Sequence, residues 1–82
     1  MSISHGLRDE FPGLAPVIDR LVKDSYEFGR LADAYEEVNR EIWRVETTAR
    51  LTADETIEKL KKRRLLLRDD IALLLAREQR RA

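Results

Sequence analysis

Apolar residues recur every three and four positions along the first half of the chain: Val17, Leu21, Phe28, Leu31, Tyr35, Val38, Ile42 and Val45. Written as heptads, Leu21, Phe28, Tyr35 and Ile42 share one seam position. Val17, Leu31, Val38 and Val45 share the other, and only Asp24 interrupts the row. This spacing predicts one long amphipathic helix over about 14–46 with a coiled-coil-type seam. Pro16 suits its first turn, where a missing N–H costs nothing. Thr47 and Thr48 are β-branched and lie off the seam, so residues 47–52 read as a loop. Thr52 and Glu55 then match the T-x-x-E capping box of a new helix start, and Asp54 and Glu55 suit the positive end of its dipole. The second helix is expected over about 53–80. Its seam is Ile57, Leu60, Leu67, Ile71 and Leu74, with Arg64 at one seam position. Before both helices, Ser4 is placed to cap a short helical turn through Glu10, which Phe11-Pro12-Gly13 would stop.

Two helices of roughly thirty residues joined by about six fold back antiparallel. The expected fold is therefore all-α: a single coiled-coil-like helical hairpin over residues 1–82 with a short N-terminal helical turn. Pairing about the loop centre sets Val45 against Ile57, Val38 against Arg64, Tyr35 against Leu67, Leu31 against Ile71, and Phe28 against Leu74. It also brings Glu37 and Glu41 beside Lys61 and Arg64. Two readings of Arg64 follow. Its stem can lie on the core with its head in water, or it can make a register-fixing ion pair with Glu37 or Glu41.

Charge gives this pairing a second meaning. Lys plus Arg number 16 and Asp plus Glu number 16, so the net charge is zero while 39% of residues are charged. Residues 1–41 carry 5 basic and 9 acidic side chains, a balance of −4; residues 42–82 carry 11 and 7, a balance of +4. The acidic half is expected to fold onto the basic half and help set register. Each exposed pair is worth under ~1 kcal/mol, so the pattern tunes specificity more than stability.

A two-helix seam is a small core for so many ordered residues. Additional apolar positions lie off it: Val22, Gly29, Ala32 and Trp43 form a second stripe with Ser25 on the first helix, and Leu66 and Leu73 lie off the seam of the second. Leu75 flanks that seam, with Leu65, Ala72 and Ala76 further round. Gly29 costs ~1 kcal/mol in a helix interior relative to Ala, which favours a packing role. These second faces are expected to bring hairpins together as a dimer or higher helical bundle. Trp43 either covers the helix end and loop or anchors a partner. Tyr26 points to the outer face.

The run Phe11-Pro12 with Asp24, Phe28, Leu31 and Tyr35, then Asn39-Arg40-Glu41-Ile42 with Arg44 and Glu46, then Leu60-Lys61-Lys62-Arg63-Arg64-Leu65 with Leu67-Arg68-Asp69-Asp70-Ile71, resembles the YdcH-like family of small bacterial proteins. The resemblance covers about residues 5–76, and the segment from Leu60 to Ile71 is its most specific part. It implies a helical hairpin or coiled coil and a bacterial, cytoplasmic setting. It carries no catalytic residues and no established activity. Asn39 stands where the family often has Asp.

The residues themselves offer little chemistry. The absence of cysteine excludes a disulfide scaffold and a thiolate metal site. Adjacent carboxylates at Glu36-Glu37 and Asp69-Asp70 point about 100° apart on a helix, so neither pair shares a substrate. His5 is the one histidine and cannot build a zinc site alone. There is no phosphate-cradling G-x-x-x-x-G-K-[ST] loop, and an elongated hairpin offers no concave pocket for catalysis. No catalytic residue, cofactor, metal or small-molecule substrate is expected. No apolar run approaches a membrane span, and the N-terminus lacks the features of a signal peptide. The expected setting is cytoplasmic.

Two functions remain. The first is a non-enzymatic protein–protein interaction or assembly module that self-associates, with any further protein partner unidentified. The alternative is a nucleic-acid-associated protein using Lys59, Lys62 and Arg63, the outward part of a basic block. Exposure of Leu66 and Leu73 would favour the first; a continuous basic stripe would favour the second.

Overall fold

A computed structural model of the chain describes residues 5–48 and 53–81, and all regular structure among them is helical. The elements in chain order are α1 (His5–Glu10), α2 (Ala15–Asp24), α3 (Tyr26–Thr48) and α4 (Ala53–Arg81). The caps expected at Ser4 and Thr52 lie outside the described residues.

The long first helix expected over 14–46 is instead two helices, and the break is Ser25. Its backbone is extended, with φ −119° and ψ 115°. The Ser25 N–H donates to the Leu21 carbonyl at 2.8 Å, closing α2. The Phe28 N–H donates to Ser25 Oγ at 3.1 Å, which is the N-cap bond that starts α3. One residue thus ends one helix and begins the next. Gly13, with φ +87°, supplies the left-handed turn between α1 and α2 that an L side chain would strain. At the other end α3 runs through Thr48, two residues past the expected Glu46. Thr47 is accommodated because its Oγ1 donates back to the Trp43 carbonyl at 2.9 Å.

α3 and α4 form the long packed pair of the fold. Cross-helix partners run in opposite order along them: Glu46 faces Lys61 at 3.6 Å, and Arg64 Nη1 donates to Asn39 Oδ1 at 2.7 Å. This overturns one of the two readings of Arg64, the register-fixing ion pair. Its partner is a neutral amide, not Glu37 or Glu41. Glu41 pairs with Arg44 on its own helix, and Glu46 takes the place expected of Glu37 and Glu41 beside Lys61.

The core explains why the break at Ser25 matters. Leu7 of α1 and Ile18 of α2 are buried with Phe28, Ala32 and Tyr35 of α3 and Ile71 and Leu75 of α4. Phe11, Leu14, Val17, Leu21, Leu31, Leu67 and Leu74 pack around them, half-buried. The N-terminal segment therefore folds back over the helix pair as a third layer. Further along α3, Val38 and Ile42 are buried and Val45 is half-buried, as are Ile57 and Leu60 on α4. The structure corrects two placements. Ala32, expected at a partner interface, is 4% exposed in the chain's own core. Leu75, expected to flank the seam, is 2% exposed at its centre.

Ion pairs tie this third layer down. Arg8 of α1 reaches Asp19 of α2 at 2.5 Å, and Arg20 of α2 reaches Glu78 of α4 at 2.7 Å. Glu10 pairs with Arg68, whose guanidinium also lies 5.1 Å from the Phe11 ring centroid.

Candidate interaction surface

The α3–α4 pair has two long sides, and the N-terminal segment treats them differently. On the covered side, α1 and the pair enclose an open groove of about 580 Å³. Its lining is Gly6 and Glu10 from α1, Tyr35 and Asn39 from α3, and Lys61, Arg64, Leu65 and Arg68 from α4. Spacings of three and four residues put the three cations on one face of α4. Gly6 lets α1 sit close here: a Cβ at that position would stand 3.0 Å from Asn39 Nδ2, and the amide would have to give by a few tenths of an ångström. Tyr35 and Asn39 sit one helical turn apart on α3 in this lining. Burial, and then the Glu10 carboxylate, push the Tyr35 pKa up, against the opposing effect of Arg64.

On the bare side, a second groove of about 570 Å³ runs between α3 and α4. Leu31, Ala34, Leu67 and Leu74 form its apolar part, with Tyr26 and Leu73 at its edges. Its charges are mixed: Glu27 and Asp70 against Arg30, Arg63 and Arg77. Leu73 is 54% exposed and Tyr26 83%. Leu66 is 61% exposed, one heptad before Leu73 and so on the same stripe of α4. Val22 is exposed beside Tyr26, Gly29 and Arg30 at the α2–α3 joint.

The interface residues expected from sequence thus divide. Val22, Leu66 and Leu73 are exposed on or beside the bare side. Ala32 is withdrawn into the core. Gly29 is half-buried against the α2 end, where an added Cβ would lie 3.4 Å from the Val22 carbonyl oxygen. Trp43 is exposed apart from the others, among Glu37, Arg40, Glu41 and Arg44. Tyr26, read as outer decoration, lines the same groove as Leu73. Lys59, Lys62 and Arg63 are all exposed, but Arg63 shares its groove with Glu27 and Asp70, which offset its field.

Leu7, Ile18 and the pairing of Glu10 with Arg68 were not expected from the seam pattern. A signal for Ile18 exists: Leu14, Ile18 and Leu21 recur at four and three, a helical face of their own. It was masked by the neighbouring row through Val17. The concavities flanking the helix pair are these two open grooves. Among the described residues, no group of three or more His, Asp or Glu side chains is arranged to hold a metal. No helix among them is long and apolar enough to cross a membrane. Burial raises the Glu36 pKa, with help from Asp33.

A family model described as a protein of unknown function, DUF465, matches residues 28–75, which lie within the span of α3 and α4. The chain matches no curated protein and no solved structure.

Proposed function

Because the chain belongs to the DUF465 family, the YdcH-like small bacterial proteins, whose membership assigns no activity, we propose that it is a non-enzymatic protein–protein interaction and assembly module. In this reading α3 and α4 form a helical hairpin that works in the cytoplasm without a cofactor. Its bare side docks against a second copy to make a helical bundle. The observation that carries the reading is the exposure of Leu66 and Leu73 along one stripe of α4, with Tyr26 across the groove from Leu73. Apolar groups gathered on one side of a small protein gain by leaving water together. The charges around them support a second copy as the occupant. A groove holding both Glu27 and Asp70 and Arg30, Arg63 and Arg77 is complementary to itself when one copy is turned end for end.

Sedimentation equilibrium at micromolar concentration tests the proposal. The expected result is a dimer or larger species for the natural chain. Leu66→Asp and Leu73→Asp should be monomeric while keeping helical circular dichroism. A folded natural chain that sediments as a monomer would overturn self-association.

A further inference from the structure

We propose that the groove on the covered side is a binding site for a small phosphate-bearing anion, with Glu10 as the resident carboxylate that the ligand displaces. Lys61, Arg64 and Arg68 line one wall, and Glu10 is the one carboxylate among the lining residues. The balance inside the groove is therefore positive, although the whole chain is neutral. Arg64 lies at the middle of this wall, between Lys61 and Arg68. Its Nη1 donates to the neutral Oδ1 of Asn39 at 2.7 Å, so its charge has no counter-ion in that contact, and a guanidinium has further N–H donors to offer. Lys61 is held loosely, 3.6 Å from Glu46 with both side chains about half exposed. Arg68 is satisfied by Glu10, and that pair shows that this wall accepts an oxyanion.

A phosphate suits the groove better than a second carboxylate. It carries close to two charges near neutral pH and has several acceptor oxygens, so it engages two or three cations where Glu10 engages one. The polar floor of Tyr35 and Asn39 adds groups that hydrogen-bond phosphate oxygens. The seat of α1 on Asn39, through Gly6, holds Glu10 at the groove and makes the N-terminal helix the element that must yield. The site is independent of the bare side, and its test has a different readout.

Pyrophosphate is the probe, titrated into the intact chain at 50 mM salt and followed by calorimetry and by amide shifts. The expected result is saturable binding, with the largest shifts at Asn39 and between Lys61 and Arg68. Arg64→Gln and Lys61→Gln should each weaken binding by about tenfold, the scale of one lost charge-assisted contact. Arg63→Gln, on the bare side, should leave it unchanged. Glu10→Gln should tighten it several-fold by removing the competing carboxylate. Lys61 is an exposed position, so its variant remains informative if Arg64→Gln fails to fold. Non-saturating binding, equal loss in Arg63→Gln and Lys61→Gln, or weaker binding by Glu10→Gln would overturn the proposal.

Discussion

The two sides of the α3–α4 pair carry grooves of nearly equal size, about 580 and 570 Å³, with opposite histories. On one side the chain has used its own N-terminus as the packing partner. Leu7 and Ile18 are 1% and 2% exposed there, and Ala32 goes under with them. On the other side Leu66 and Leu73 stay more than half exposed. Both sides come from helices with apolar residues off their seams. Whether such a residue is an interface is decided by what the rest of the chain reaches.

The sharpest way to test this contrast is to remove matched apolar groups from each side. Phe28→Ala, at the centre of the core, should cost ~3–5 kcal/mol in urea unfolding, and Ile18→Ala ~2–4 kcal/mol. Leu73→Ala should cost within ~0.5 kcal/mol at concentrations too low for copies to associate, where the bare side meets only water. A large loss for Leu73→Ala with little loss for Ile18→Ala would invert the assignment of the two sides. Next in size is Ser25→Ala, which removes the cap of α3 and should cost ~0.5–2 kcal/mol by the same measurement. The ties of the covered layer come below that. Arg20→Gln breaks the exposed pair with Glu78 and should cost under ~1 kcal/mol, less as salt rises.

The smallest effect is a change with pH. The folded chain holds the Tyr35 proton more tightly than the unfolded chain does. The stability linked to that proton is complete below the ordinary tyrosine range. It is lost as pH rises from near 10.0 through the raised folded value. Melting curves from about pH 9 to 11 should fall more steeply for the natural chain than for Tyr35→Phe. Parallel curves would show that the covered side does not hold the hydroxyl in its neutral form.

What could be read from sequence was set by period. The rows from Phe28 to Val45 and from Ile57 to Leu74 recur over several heptads, and the helix pair they imply is the body of the fold. Ser25 escaped because Leu21 and Phe28 keep their seven-residue spacing on either side of the break, and the one fault in the rows, Asp24, reads as a polar residue on a continuous helix. A hydrophobic period reports which residues face a core and is silent on whether the backbone between them bends. The turn of α1 through Glu10 was legible, but the place where it docks was not. Six residues are too short to show a period, and Leu7 is its one large apolar side chain. The candidate surface was partly legible. Leu66 and Leu73 stood out as leucines off the seam. The polar groove did not, since Gly6, Glu10 and Arg68 come together only when α1 folds back.

The double duty of Ser25 bears on changes of chain length. Where a helix ends and the next begins across a flexible linker, an added or lost residue is taken up by the linker. Here there is no slack, because the residue whose N–H donates the last bond of α2 also caps α3. Removing one residue between Leu21 and Phe28 would turn everything before it by about 100° about the α2 axis and shift it along by about 1.5 Å. Ile18 would leave the core, and Arg20 would leave Glu78. Substitutions around this joint are a matter of a few contacts, but single insertions and deletions there would dismantle the whole N-terminal layer at once.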